Sequence, residues 1–286
     1  MTRTDIDPSE SVTTGTGEDP MELARRRRSR STGRLLWLLA AAFLVFCALQ
    51  LDIVPERLLD ATDRARFVID VMLPPAMGDP ATLWGAALES IQIAVVGTAF
   101  GILLSLLCGI LAAKNVSPIG PLSWAIKGLA GLVRSVPALV WALLFIVAVG
   151  LGPTAGILAI AVKSVGMLAK VYAETIEEIP MGPIEALRAS GASRLQVALQ
   201  GVLPSVAGVF IAWSVFRFDI NVRYASVLGV VGAGGIGWEL VRVSQQGRYD
   251  MAIGVTVVIF AMVMASELIS EWLQRRSDNA ALKATS

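Results

Sequence analysis

The chain has 286 residues, and 24 Lys and Arg oppose 23 Asp and Glu, so its net charge of +1 gives no electrostatic reason to expect a nucleic acid partner. Hydrophobic residues make up 55% of the chain, charged residues 16%, and the mean hydropathy is +0.67, which is typical of an integral membrane protein. The absence of histidine excludes His-based triads and HExxH metal sites. Cys47 and Cys108 both lie in apolar runs, so neither a disulfide framework nor a thiolate zinc site is expected, and we predict no catalytic or metal site.

Six apolar stretches predict six membrane-spanning helices. Residues 1–34 are polar and end in an arginine-rich run, a composition that predicts a disordered basic cytoplasmic tail. The apolar run 35–51 follows too long a charged leader for a secretory signal, so we interpret 35–83 as a retained first span and a periplasmic loop. Crossing the bilayer takes roughly 20 helical residues. Stretches that meet or approach this length lie at about 84–113, 130–151, 154–172, 202–220 and 250–270.

These spans predict an all-α polytopic membrane protein, since no segment shows the alternation of a membrane β-barrel. With both termini in the cytoplasm, the inner segments carry more Lys and Arg than the outer ones, as the positive-inside rule requires. The cytoplasmic segments then include the loop 173–201 and a C-terminal tail, 271–286.

The second predicted span has a ridge of small residues, Gly97, Gly101, Ser105 and Gly109, at every fourth position. Such a ridge lets two helix backbones approach closely. Packing within the chain and contact between subunits are equally compatible with it.

The loop 173–201 is too polar to span the membrane but contains helix signals. Pro183 suits a first helical position, and residues 184–190 predict a short helix that closes near Gly191. Ser193 and Gln196 form a capping box for a second helix that runs toward Pro204. An Ala-rich helix of this kind either fits a groove on a soluble partner or is a solvated loop, and helix signals alone do not separate the two.

The same segment resembles a known signature. Glu185-Ala186-Leu187, then Gly191, then Leu203-Pro204 resembles the EAA motif of ATP-binding-cassette importer permeases. The chain departs from the motif at Leu187, where Ala is usual, and at Gly201, where Ile is usual. The resemblance implies that the residues coupling the permease to its ATPase are Glu185, Ala186, Leu187, Arg188, Gly191, Ala192, Leu203 and Pro204.

Further stretches resemble the phosphonate importer permease, and together with the EAA motif the likeness covers about 84–270. These stretches are 134–137, 149–153, 217–223 and 227–237. The resemblance implies a type I importer permease fold and a homodimer in the bacterial inner membrane. It also implies two copies of an ATPase subunit, which bind ATP and Mg, and a periplasmic or lipid-anchored substrate-binding protein. Phosphonate is the expected cargo, with phosphate or phosphite as alternatives of the same class.

The lysines agree that the ATPase is a separate polypeptide. A P-loop ends in Gly-Lys-Ser/Thr. None of Lys114, Lys127, Lys163, Lys170 and Lys283 follows a glycine, so we expect no nucleotide cofactor on this chain.

A glycine-rich stretch, Gly232-Ala233-Gly234-Gly235-Ile236-Gly237, matches G-x-G-x-x-G. That pattern indicates a dinucleotide site only between a strand and a helix, and this chain lacks strand patterning. We predict instead that the stretch folds back on the helices near the substrate path as a scoop or gate.

Charged and polar residues inside predicted spans mark candidate functional positions, because such residues are costly in a bilayer. Lys163 is expected either to contact a transient anion or to snorkel or pair with an acid. Asp219 and Arg223 are spaced for a structural ion pair, whereas Arg217 can face the path. The substrate-path set comprises Lys163, Arg217, Asp219, Asn221, Arg223, Gly232, Gly234, Gly235 and Gly237, and the gate or interface set comprises Arg134, Ser135 and Pro137.

These observations favour an ATP-driven importer subunit that works by alternating access and performs no covalent chemistry. A secondary transporter or channel is the alternative from another class, although it would need internal repeats and ion-coupling carboxylates within the spans. A membrane-bound dehydrogenase is the third interpretation.

Overall fold

The computed structural model describes residues 20–51, 65–66, 68–115, 120–193 and 196–284, and all regular structure in these ranges is helical. The chain divides into two compact units, residues 1–68 and 69–286. In the first unit, helix α1 runs from Pro20 to Gln50 and carries the apolar segment Leu36–Gln50. It begins within the segment for which composition predicts disorder, because a proline fits the first turn and the arginines that follow favour a helix. Residues 1–19 lie outside the described residues.

The second unit contains eight of the helices described. They are α2 (Pro80–Ala112), α3 (Gly120–Ser135), α4 (Ala138–Val149), α5 (Pro153–Glu177), α6 (Met181–Ala189), α7 (Leu203–Leu228), α8 (Gly235–Gln245) and α9 (Tyr249–Ala284). A π-helix, Val197–Val202, precedes α7, and a 3-10 turn, Gly229–Val231, follows it.

Helices long and apolar enough to cross a membrane fall where the sequence predicts spans. Four pass by length and composition, Pro80–Ala112, Pro153–Glu177, Leu199–Gln245 and Tyr249–Arg275. The pair formed by α3 and α4 passes as a fifth when counted as one span, and the first predicted span corresponds to the shorter Leu36–Gln50. Helix α9 continues to Ala284, through most of the predicted C-terminal tail.

The third predicted span, 130–151, is wrong as a single helix. Helices α3 and α4 meet at an angle of 93° between Ser135 and Ala138. Pro137 causes the break, because it has no backbone N–H to donate and its ring disfavours helical backbone at the residue before it. The span is therefore a bent pair of helices.

The small-residue ridge of α2 packs against α5 within the same chain. A Cβ atom added at Gly97 would lie 2.7 Å from Ile160 Cγ2, and one added at Gly101 would lie 2.5 Å from Ser164 Cβ. At Gly109 it would lie 2.8 Å from Tyr172 Cβ. Rows of period four on both helices thus fit together, which confirms the intrachain interpretation.

Two hydrophobic clusters occupy the two ends of this helix bundle. One contains Ile93, Leu228 and Ile236 and lies beside the turn 229–235, and we call this end the glycine-rich end. The other contains Tyr172 and Ile184 and lies beside residues 173–202, and we call it the loop end. The substrate-path residues on α5 and α7 lie along the helices that join the two ends.

Asp79 starts α2 at the glycine-rich end. Its carboxylate accepts hydrogen bonds from the Ala81 and Thr82 backbone N–H groups and from the Thr82 hydroxyl, the last at 2.6 Å. The Thr82 hydroxyl is the main reason that the pKa of Asp79 lies below its usual value, with the two backbone N–H groups adding to it. This cap fixes where the second span begins.

Candidate functional site

The short helix α6 presents a polar, small-residue face to solvent while its apolar side is anchored. Ile184 is fully buried and Leu187 is half-buried, whereas Glu185, Ala186 and Arg188 are exposed. The helix begins at Met181, two residues before the predicted start at Pro183, and a proline still fits there because first-turn N–H groups have no helical partner. The exposed face is therefore free to contact another molecule.

Two signals that end this helix and start the next element are confirmed. Gly191 adopts a left-handed backbone with φ of +85°, and its N–H donates to the carbonyl of Arg188 at 3.0 Å. Gln196 N–H donates to Ser193 Oγ at 3.3 Å while Ser193 N–H donates to Gln196 Oε1 at 2.8 Å, which is the predicted capping box.

The element that follows is a π-helix rather than an α-helix. Pro204 lies in the first turn of α7 and has no N–H for the carbonyl of Gln200, four residues before it. The wider turn Val197–Val202 precedes that interruption. Leu203 and Pro204 thus mark the point where the loop enters the membrane-spanning helix.

The two departures from the EAA motif compensate one another. A Cβ atom at Gly201 would lie 2.6 Å from Leu187 Cδ1, so the larger residue at one position fills the space left by the smaller one at the other. Leu187 packs against the loop-end cluster together with Ala192. The contact between α6 and the π-helix is therefore preserved with the side-chain sizes exchanged.

A network of polar contacts joins this loop to α3 and α5. The Lys127 ammonium donates to both carboxylate oxygens of Glu177 at 2.8 Å, and the Lys114 N–H donates to the same carboxylate at 2.7 Å. Asn115 Nδ2 donates to the Ile176 carbonyl at 2.7 Å, and Arg188 Nη2 donates to the Asn115 carbonyl at 3.1 Å. Sequence reasoning missed this network, because its partners lie 50 to 73 residues apart.

Lys163 holds the bend between α3 and α4. Its ammonium donates to the Arg134 carbonyl and to the Val136 carbonyl, each at 2.6 Å. Both carbonyls lose helical partners where the chain breaks at Pro137, so the lysine satisfies them. Neither predicted alternative, a snorkelling side chain or a pair with an acid, describes this contact. Of the predicted gate residues, Arg134 therefore contacts Lys163 through its carbonyl, and Ser135 and Pro137 flank the second contact at Val136.

Arg217 and Asn221 lie in a buried polar cluster between α7, α5 and α2. Arg217 is 3% exposed and Asn221 is fully buried. Arg217 Nε and Asn221 Nδ2 each donate to Ser164 Oγ at 3.0 Å, and Asn221 Nδ2 also donates to Thr98 Oγ1 at 2.8 Å. The guanidinium lies 5.8 Å from the Tyr224 ring centre. Sequence reasoning missed Ser164 and Thr98, although small polar residues on the facing row of an apolar helix were the available signal.

Asp219 and Arg223 form the predicted ion pair on another side of α7. Arg223 Nη2 lies 2.8 Å from Asp219 Oδ2 and 3.5 Å from Glu267 Oε2. The second oxygen of Asp219 accepts from the Ser266 hydroxyl at 3.0 Å. These contacts join α7 to α9 and leave the Asp219 carboxylate engaged.

The glycine-rich stretch folds back on the bundle, as predicted. Gly152 N–H donates to the Gly232 carbonyl at 2.9 Å, and the N–H of Ile236 donates to Ser90 Oγ at 2.8 Å. Gly232, Gly234 and Gly235 have φ of +99°, +81° and +71°, which favours glycine at all three. The stretch joins α7 to α8 rather than a strand to a helix, which removes the context that a dinucleotide site requires.

Glycines in this turn also allow close approach. A Cβ atom at Gly237 would overlap the Ser226 carbonyl oxygen, and one at Gly234 would lie 2.8 Å from Glu89 Oε1. Within the part of the chain that the structure describes, no group of three or more His, Cys, Asp or Glu residues is placed to hold a metal ion.

Comparison with known proteins gives consistent matches. Residues 101–283 match the family described as binding-protein-dependent transport system inner membrane component. The chain is 42% identical over 208 residues to the phosphate-import permease protein PhnE of Mycolicibacterium smegmatis, which covers 72% of this chain and 39% of that longer protein. It is 38% identical over 189 residues to the phosphite transport system permease protein PtxC of Stutzerimonas stutzeri, covering 66% of this chain and 68% of the relative.

A solved structure shares the fold. The MetNI methionine ABC transporter, in inward-facing conformations, matches with a TM-score of 0.62 and 23% identity over 70% of this chain and 99% of that chain. At this identity the likeness concerns the fold alone. It confirms the predicted fold class.

Proposed function

The chain belongs to the family of binding-protein-dependent transport system inner membrane components, and from this premise we propose that it is the membrane-spanning subunit of an ATP-driven importer of phosphorus oxyanions. The relatives named for phosphate import and phosphite transport support this cargo class. The observation that carries the coupling role is the loop itself. Its short helix exposes Glu185, Ala186 and Arg188 while the buried Ile184 holds it to the bundle.

The partners follow from the family. A separate ATPase subunit supplies the energy, and a binding protein delivers the cargo. We assign two copies of this chain and two ATPases to each transporter. The loop end, with both termini, faces the cytoplasm, and the glycine-rich end faces the binding protein. The arginine-rich leader and the positive-inside pattern support this orientation.

The polar network at the loop end gives a route for coupling. When an ATPase moves α6, the Arg188 contact moves the Asn115 carbonyl between α2 and α3. The Glu177–Lys127 pair joins the end of α5 to α3, whose other end is the bend that Lys163 holds. Movement at the loop is thereby transmitted to the middle of the membrane through groups with defined contacts.

The substrate path in this proposal runs from the glycine-rich turn toward the middle of α5 and α7. The turn 232–237 gates entry, and Arg217 and Asn221 lie deeper, between helices. In this proposal, Lys163 holds the bend between α3 and α4 and adds a positive charge beside the substrate path. Asp219 and Arg223 contribute by joining α7 to α9.

The test is ATP-driven uptake by the complete transporter, reconstituted in vesicles with its ATPase and binding protein, with phosphonate, phosphite and phosphate compared. Glu185→Trp and Gly191→Trp should abolish uptake without preventing membrane insertion, because Glu185 lies on the exposed face of α6 and Gly191 forms the turn that follows it. Glu271→Trp, at an exposed position of α9, is the matched control and should transport normally. Normal uptake by the two loop variants would contradict the coupling role. Uptake by the chain alone, without any ATPase, would instead indicate a secondary transporter or channel.

A further inference from the structure

Two buried side chains on α7 each have a hydrogen-bonding atom without a partner. Within the described part of the chain, Arg217 Nη2 and Asn221 Oδ1 are buried and make no hydrogen bond. Arg217 Nη1 reaches only the Met167 sulfur, at 3.6 Å, which is a weak acceptor. Unpaired polar atoms in an apolar interior cost free energy, and those in a membrane protein mark functional positions.

The hydrogen-bond network fixes which way the Asn221 amide faces. The Thr98 hydroxyl donates to the Ala94 carbonyl at 2.6 Å, and the Ser164 hydroxyl donates to the Ile160 carbonyl at 2.7 Å. Since each hydroxyl has one proton and both are used, their oxygens accept from the side chain that faces them. Asn221 therefore presents its NH₂ group to both, and its spare atom is an acceptor.

The two spare atoms belong to side chains that share one partner on α5, the Ser164 hydroxyl. Arg217 Nε and Asn221 Nδ2 both lie 3.0 Å from Ser164 Oγ, and each spare atom is two bonds from one of these nitrogens. The two side chains therefore hold one unpaired charged donor and one unpaired neutral acceptor beside the same serine.

The surroundings are cationic. Lys163 adjoins Ser164, the hydrogen-bond partner of Arg217, and its ammonium bonds to the Arg134 backbone carbonyl, so three cationic residues lie in one region. The carboxylate on the same helix, Asp219, is already bonded to Arg223 and Ser266. No described carboxylate pairs with Arg217, so its buried charge is not compensated by an acidic side chain.

We propose that Arg217 Nη2 and Asn221 Oδ1 form a binding station for an oxyanion that carries one proton. The guanidinium donates to a charged oxygen of the anion, and the anion's own O–H donates to Asn221 Oδ1. This inference rests on the proposed function and deepens it by naming the atoms that read the cargo. Because both atoms are covered in this structure, an ion reaches them only when α5 and α7 separate, as in alternating access.

The combination of a donor on Arg217 and an acceptor on Asn221 selects for anions that carry a proton. A fully deprotonated oxyanion presents a lone pair to the Asn221 carbonyl oxygen, where nothing is donated and two acceptors face one another. Sites that hydrogen-bond an O–H reject analogues lacking it far more strongly than apolar pockets reject a missing methylene. Monoprotonated phosphonate, phosphite and phosphate satisfy both spare atoms.

The experiment measures initial uptake of methylphosphonate, phosphite and phosphate by the complete transporter in vesicles, between about pH 6 and 9. Arg217→Gln removes the charged donor, and Asn221→Leu removes the acceptor at similar volume. Thr98→Val is the matched control, since it disturbs the same network but leaves both spare atoms. Stimulation of ATP hydrolysis by the binding protein is recorded for each variant to show that it assembles.

For Arg217→Gln we expect uptake to fall by about tenfold or more with stimulated hydrolysis retained. For Asn221→Leu we expect the ratio of wild-type to variant uptake of methylphosphonate and of phosphite to be largest at low pH and to shrink as these anions lose their only O–H proton. For phosphate, which keeps an O–H over the whole range, the ratio should persist at high pH. Thr98→Val should give a ratio that does not change with pH.

Three results would overturn the station. One is unchanged uptake by Arg217→Gln, another is a pH-independent ratio for Asn221→Leu with methylphosphonate and phosphite, and the third is the same pH trend in Thr98→Val. If the wild type takes up none of these anions with ATP, the proposed function itself has failed.

Discussion

Replacing Lys163 with Met tests whether this lysine holds the bent pair together. The ammonium donates two hydrogen bonds of 2.6 Å to the carbonyls of Arg134 and Val136. The Val136 carbonyl is half-buried and the Arg134 carbonyl is exposed, so losing the two hydrogen bonds should cost about 1–3 kcal/mol in total. We therefore expect a loss of about 2 kcal/mol in the free energy of unfolding. At about 2–4 °C per kcal/mol, the Tm should fall by about 4–8 °C.

The assay is thermal unfolding of the transporter in nanodiscs, with Lys170→Met as the control. Lys170 lies on the same helix, and its contact with Glu174 is a half-exposed pair at 3.7 Å, worth about 0–1 kcal/mol. Both substitutions remove one lysine from α5. Equal Tm values for the two variants would refute the role of Lys163 at the bend. A change in the KM for uptake alone, with no change in Tm, would favour direct contact with the cargo.

Three further sets of substitutions test other contacts. Leu187→Ala and Gly201→Ile should each lower the Tm, and the double variant should recover about 1–2 kcal/mol of the summed loss, because the two side chains share one space; strictly additive losses would contradict this compensation. Glu177→Gln should lower the amount of cargo moved per ATP severalfold while binding-protein-stimulated hydrolysis persists, because it weakens the pair with Lys127; Glu174→Gln is the control, and an equal effect of both would argue against the route. Gly237→Ala should cost about 2 kcal/mol or more because its Cβ overlaps the Ser226 carbonyl, whereas Gly208→Ala, with open space around it, should be neutral or stabilising by up to about 1 kcal/mol; the same Tm for both would show that the turn yields easily.

Local sequence patterns predict much of this structure. Length and hydropathy locate the apolar helices, because a bilayer demands a fixed length of apolar residues whatever they pack against. The capping box at Ser193 and Gln196 and the left-handed Gly191 are also local, since each depends on residues within one turn. The period-four ridge on α2 shows a close helix contact, although the sequence leaves its partner open.

The bend and the roles of the charges were decided by tertiary structure. Pro137 predicts a break in the helix but not its angle of 93°, which depends on which group donates hydrogen bonds to the freed carbonyls. Lys163, which is 27 and 29 residues away in sequence, donates a hydrogen bond to each carbonyl. No spacing rule relates this contact to the bend. The helix α8 was also missed, because its start at Gly235 depends on the fold-back of a glycine-rich turn.

The sequence alone determined that this chain crosses a membrane as helices, that its polar loop resembles the EAA motif, and that α2 packs closely against another helix. Only the fold decided that Asn221 meets Thr98 across 123 residues and that one serine holds both Arg217 and Asn221. The physical reason is the distance along the sequence over which each kind of interaction acts. Hydrophobic length, capping and periodicity act within a few turns, whereas the partner of a buried polar group is set by which distant helix packs against it.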